Sequence, residues 1–181
     1  MLKMKFFINS LTISRIALAP FIFAFIVYFQ AFGIALFLFV LTSVTDFLDG
    51  YFARKYDLTS EVGRILDPIA DKVLIIFMLI AISLHLGSLS VGFMSAIIIS
   101  REIWVSALRE MNALNNNSEA TQVTFLAKIK TTIQLFAIGG FLIAFYLNST
   151  FIEFLCIFFL FLALIITFQY GIEYTRSSFK N

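Results

Sequence analysis

Six long apolar runs dominate this chain, near residues 11–29, 33–53, 64–86, 90–112, 124–147 and 151–171. Each holds about 19 to 24 residues, and at about 1.5 Å rise per residue a helix of that length crosses a hydrocarbon layer of about 30 Å. The backbone polar groups of such a run must be satisfied inside the lipid, which a helix does by itself. Composition agrees: 61% of the residues are hydrophobic and 13% are charged, where a soluble domain carries roughly a quarter charged residues. The expected fold class is all-α, an integral membrane protein with six transmembrane helices, and the length allows a single domain over 1–181. The single cysteine, Cys156, lies in an apolar run. It excludes a disulfide framework and reads as a buried, inert thiol. The first run is long for a signal peptide and lacks a small-residue cleavage site, so no cleavable signal is expected.

The basic residues orient the bundle. Three linkers, "QAFG" (30–33), "HLGSLS" (85–90) and "LNST" (147–150), carry none of the 13 lysines and arginines. All lie toward the other side: Lys3, Lys5 and Arg15; Arg54, Lys55, Arg64 and Lys72; Arg101, Arg109, Lys128 and Lys130; Arg176 and Lys180. Lys/Arg-rich segments stay in the cytoplasm, which puts both termini and the 112–123 loop on that side. His85 falls in an outer linker and reads as a solvated loop residue. Trp104 and the many phenylalanines read as lipid-facing or packing residues. With a net charge of +2, no nucleic-acid partner is expected.

Against this background one stretch stands out, "TDFLDGYFARKYDLTSEVGRILDPIADK" (45–72), with Asp46, Asp49, Asp67 and Asp71 beside hydrocarbon. Intramembrane carboxylates are costly and mark function. Asp46 and Asp49 are three apart on the second run, and Asp67 and Asp71 four apart on the third, so each pair shares one helix face. Four carboxylates brought together repel unless cations lie between them. Oxygen-only ligation suits Mg²⁺ or Mn²⁺, and four carboxylates can hold two such ions about 4 Å apart, as in sites that displace phosphoryl groups. Counting helical rise from the outer linkers puts Asp46 about 20 Å, Asp71 about 22 Å, Arg101 about 17 Å and Lys130 about 25 Å deep. That describes a polar cavity open to the cytoplasm at headgroup depth. Gly50 and Ala53 leave room for a close approach, Arg54 offers a bidentate fork to a phosphate, and Thr59 and Ser60 offer hydroxyls. Gly63 reads as a turn before the third helix, and Pro68 as a helix start or kink at Asp67.

Asp46-x2-Asp49-Gly50-x2-Ala53-Arg54-x8-Gly63-x3-Asp67-x3-Asp71 resembles, without departure, the signature of the CDP-alcohol phosphotransferases, eight fixed positions over 26 residues. "NSLTISRIALAP" (9–20), "SREIWVSALRE" (100–110) and "AKIKTTIQ" (127–134) resemble further segments of the branch that uses glycerol 3-phosphate as acceptor, with a departure at Ala127, where glycine is usual. The resemblance implies the six-helix CDP-alcohol phosphotransferase fold in a bacterial inner membrane, a donor CDP-diacylglycerol, and transfer of its phosphatidyl group with release of CMP. It assigns Asp46, Asp49, Asp67 and Asp71 to two divalent metals, and Asp71 also to the base for the acceptor hydroxyl. It gives Gly50, Arg54 and Ser60 to the CDP moiety, and it allows a homodimer. For the dianionic acceptor phosphate the sequence offers Arg101, Arg109, Lys128 and Lys130, with Glu102 and Glu110 as competing partners.

The alternatives are a relative with another acceptor, such as a cardiolipin synthase, a divalent-cation transporter, or a non-catalytic scaffold. A transporter does not need Gly50, Arg54 and Gly63 at these spacings, and a scaffold leaves the aspartates unexplained. The topology is testable by itself. In a Cys156→Ser background, an Asn116→Cys protein in intact cells should escape a membrane-impermeant thiol reagent. Labelling from outside would sink the orientation.

Overall fold

The computed structural model describes the backbone of residues 2–55, 61–114 and 125–179, with side chains at 12–46, 48, 66–114 and 129–179. Six helices follow in order: α1 (Leu2–Val27), α2 (Phe32–Lys55), α3 (Glu61–Leu86), α4 (Leu89–Leu114), α5 (Phe125–Leu147) and α6 (Thr150–Ser178). Within the described residues, Leu66–Leu86, Leu89–Leu114, Ile129–Leu147 and Thr150–Ser178 are long and apolar enough to cross a membrane. Thr12–Val27 and Phe32–Asp46 are shorter apolar helical stretches.

At the uncharged linkers the helix ends match the apolar runs to within a few residues. On the basic side α1, α3, α4 and α6 continue past them, because charged residues that leave the hydrocarbon can still propagate a helix. The structure corrects one reading here and narrows a second. Gly63 lies inside the first turn of α3, and Pro68 is inside that helix rather than at its start. Proline removes one amide from the ladder, and Pro68 takes this loss on an exposed cavity wall. Each uncharged connection turns through one residue of positive φ: Gln30 (50°), Gly87 (57°) and Asn148 (51°). Gly87 takes this conformation without steric cost, and asparagine tolerates it. Ser149 then caps α6 by accepting from the amide of Ile152.

Helix pairings close a ring, α1–α2–α5–α6–α4–α3 and back to α1, with α3 and α5 also in contact across it. The main core gathers Ile22 and Ile26 of α1, Phe39 of α2, Met78, Leu79 and Ile82 of α3, Ile98 of α4, Phe141 and Leu142 of α5, and Leu160 of α6. A smaller cluster, Val105, Leu108, Tyr170 and Tyr174, joins α4 to α6. His85 is not a solvated loop residue: it ends α3 with its ring against Phe32 and Phe145, centroids 4.8 and 4.4 Å away. Two aromatic edges at that turn make a better environment for an imidazole body than its linker position implied. Trp104 is about half exposed, as expected, and its indole N–H donates to Thr175 Oγ1 at 3.0 Å. Cys156 is buried and free.

Helices α5 and α6 pack tightly at Gly140, where an added Cβ would lie 2.6 Å from Cys156 Sγ. Gly140→Ala should therefore destabilise the bundle by about 1–3 kcal/mol through overpacking. Cys156→Ala should recover part of that loss in the double variant, as thermal unfolding of the purified single and double variants will show. Strict additivity would mean that this contact is not the cause.

Candidate active site

Three of the four aspartates meet at one buried guanidinium. Arg15 of α1 donates through Nη1 to Asp46 Oδ1 of α2 and, at 3.0 Å, to Asp71 Oδ1 of α3. Its Nη2 lies 3.6 Å from Asp67 Oδ1. One helical turn earlier, Thr12 donates to the same Asp67 oxygen at 2.8 Å. The spacing of Asp67 and Asp71 does put both carboxylates on one face of α3, and that face meets α1, whose Arg15 connects it to Asp46 of α2. Asp49, Gly50, Arg54 and Lys128 lie on α2 and α5, but their side chains are outside the described residues, and Ser60 is outside them altogether.

The second half of the site is a cavity of about 410 Å³ enclosed by α3, α4, α5 and α6. Asp71, Lys72, Arg101, Glu102, Arg109, Lys130 and Tyr170 are on its wall. It thus holds three of the four basic residues offered for an acceptor phosphate, together with Asp71. Glu102 takes the competing role anticipated for it, accepting from Arg101 Nη1 at 3.2 Å and from Lys130 Nζ. Arg101 also stacks on Tyr170, 4.6 Å from the ring centroid, a cation–π contact that fixes the guanidinium plane. Arg109 has no ion pair among the described residues, and its Nε is buried without a hydrogen-bond partner, as are Nε and Nη2 of Arg101. Four cationic side chains face two carboxylates on this wall, so the cavity carries an excess of positive charge and of donors. Such a lining suits an oxyanion.

A groove of about 460 Å³, lined by apolar side chains with Ser43 the one polar group, runs between α2 and α5 along Leu36, Phe39, Val40, Phe136, Gly139 and Ile143. Ser43 and Val44 also line it, one helical turn from Asp46.

The sequence reading missed Arg15, Thr12 and Tyr170 as parts of the site. Arg15 was legible: an arginine four residues inside an apolar run is expensive unless it has a buried partner, and Thr12 shares its helix face. Tyr170 had no comparable signal among so many aromatics.

Carboxylates of α2 and α3 gathered on one arginine of α1, beside a cavity with an excess of cationic side chains, make up the candidate active site. The chain belongs to the CDP-alcohol phosphatidyltransferase family, whose model matches residues 7–170. It is 38% identical over 168 residues to the CDP-diacylglycerol–glycerol-3-phosphate 3-phosphatidyltransferase of Haemophilus influenzae, covering 92% of this chain and 89% of the relative. It is 34% identical over 171 residues to the proteins of the same name from Shigella flexneri serotype 5b and Escherichia coli K12, covering 93% of this chain and 92% of each relative. The chain is a multi-pass membrane protein of a transferase family involved in phospholipid synthesis.

Proposed function

We propose that the chain transfers the phosphatidyl group of CDP-diacylglycerol to glycerol 3-phosphate, giving phosphatidylglycerophosphate and CMP, as its named relatives do. The observation that carries this reading is the cavity in which Asp71 shares a wall with Arg101, Arg109 and Lys130. A base and a phosphate site must face one space if one small molecule is to present its hydroxyl to the first and its phosphate to the second.

Asp46, Asp49, Asp67 and Asp71 are proposed as ligands of two divalent cations, Mg²⁺ or Mn²⁺. Among the described residues no group of three or more acidic, His or Cys side chains forms a ready-made metal site. The chemistry of Asp46, Asp67 and Asp71 fits nonetheless: the donors are all carboxylate oxygens, the side chains are 42, 49 and 52% exposed, and one guanidinium offsets only one of their three charges. When bound, such cations neutralise the diphosphate of the donor.

On this reading Gly50, Arg54 and Ser60 hold the CDP moiety, and the α2–α5 groove takes an acyl chain. Arg109, Arg101 and Lys130, with Lys128, hold the acceptor phosphate. Asp71 accepts the proton of the acceptor hydroxyl. The acceptor oxygen forms its bond to the β-phosphorus as the bond to the bridging oxygen breaks, and CMP leaves with that oxygen. Alignment and charge neutralisation do most of the work in such a displacement. The bundle crosses the membrane six times, with termini and site at the cytoplasmic face. A divalent-cation path is disfavoured by the same wall, where Lys72, Arg101, Arg109 and Lys130 would oppose a passing cation.

CMP release by purified protein from CDP-diacylglycerol, with a panel of acceptors, tests the reading. Glycerol 3-phosphate should be used. Turnover with phosphatidylglycerol in its place would make the chain a cardiolipin synthase. Asp71→Asn keeps the shape but cannot take the proton, so turnover should fall about 10²–10⁴-fold while CDP-diacylglycerol still binds. A loss of binding with turnover would assign Asp71 to metal holding alone. Arg109→Ala and Lys130→Ala should raise the KM for glycerol 3-phosphate about tenfold or more, roughly 1.4 kcal/mol, and leave that for CDP-diacylglycerol little changed. A parallel rise in both would move these cations out of the acceptor site.

A further inference from the structure

The deepest connection of the carboxylate site runs into the first helix. Arg15 is 2% exposed, whereas Asp46, Asp67 and Asp71 are 42, 49 and 52% exposed. The guanidinium therefore sits on the protein side of the carboxylates, and their open side faces away from it. Thr12, fully buried, touches Asp67 from the same helix face. Through these two side chains α1 ties Asp46 of α2 to Asp67 and Asp71 of α3. Nη1 donates to both Asp46 and Asp71, while Nη2 faces Asp67 at 3.6 Å without a hydrogen bond, so the charge is spread over a plane that a compact ammonium matches less well.

We infer that Arg15, assisted by Thr12, is the positioning residue of the carboxylate site. It holds the carboxylates of α2 and α3 together before a divalent cation arrives, and it offsets their repulsion without covering their open side. One positive charge against the three described carboxylates leaves two negative charges, and Asp49 as a fourth ligand would add a third, so the site still calls for divalent cations. The inference rests on the metal reading above.

The test is thermal unfolding of the purified full-length protein in detergent, in EDTA and with Mg²⁺ or Mn²⁺, for wild type, Arg15→Met, Arg15→Lys and Thr12→Val. A ligand that binds only the folded form raises the melting temperature, and it does more where it replaces a missing counter-charge. Arg15→Met should melt lowest in EDTA, and Mg²⁺ should raise its melting temperature about twice as far as that of wild type. Arg15→Lys should fall between them. Thr12→Val should shift the same way by less, and it decides the question should Arg15→Met fail to fold. Equal metal-induced rises in wild type and variants overturn the inference, because Arg15 would then only pack the bundle. A wild type that ignores both cations overturns the metal reading and this inference with it, whether or not that protein releases CMP with glycerol 3-phosphate.

Discussion

The most deeply buried cations of this bundle, Arg15, Arg101 and Lys130, find their counter-charges inside it. Water is scarce there and the surroundings are hydrocarbon, so an unpaired ion is costly and a broken pair leaves its partner stranded. The structure meets the constraint with two clusters. Arg15 meets Asp46, Asp67 and Asp71, and Glu102 meets Arg101 and Lys130. The helix arrangement follows from these meetings as much as from the apolar core. Arg15 needs α1 against both α2 and α3, and Glu102 needs α4 within reach of α5. The ring meets the first condition by packing α1 on both; among the described residues α4 and α5 are not packed on each other, and the long Lys130 side chain spans the distance to Glu102.

Helix α3 links the two clusters. It touches α1 on one side and α4 and α5 on the other. Asp71 belongs to the carboxylate cluster through Arg15 and to the cavity through its place on the wall. Lys72, the next residue, lines the cavity as well. Adjacent residues on a helix point about 100° apart, so one turn of α3 serves both compartments. Pro68, one turn earlier on the same wall, fits this role: the turn that faces an open cavity is the one that best tolerates a missing amide.

The sequence made the helices legible because their length and hydrophobicity are dictated by the bilayer. It made Asp46, Asp67 and Asp71 legible because carboxylates amid phenylalanine and leucine have no cheap explanation. Arg101, Arg109 and Lys130 were legible as a group from their depth. What it did not yield depends on which face of one helix meets another. Arg15 counted toward orientation when it is a structural partner of the aspartates. Glu102 stood as one of two rivals for the cations until the structure placed it between Arg101 and Lys130. His85 looked solvated from its linker, yet the folded turn packs it between Phe32 and Phe145. In each case the residue type was informative, and the missing quantity was helix rotation, which hydrophobicity does not determine when a helix is apolar on nearly all sides.

The separation of the two clusters also answers a problem of mutual neutralisation. On the proposed reading the carboxylates hold cations and the basic residues hold phosphate, and direct pairing between the two sets would spoil both functions. Here each set has its own restraint. Glu102 holds Arg101 and Lys130 on the α4–α5 side, and Tyr170 holds the plane of Arg101 from α6. Arg15, buried behind the aspartates, supplies their counter-charge without entering the cavity. Arg109 is the cavity-lining arginine with no ion pair among the described residues. On the proposed reading, a dianionic phosphate entering the cavity would meet cations already oriented and one not yet paired. Its association would not first have to break an Asp–cation contact, which would leave Asp71 available to a hydroxyl delivered by the same molecule.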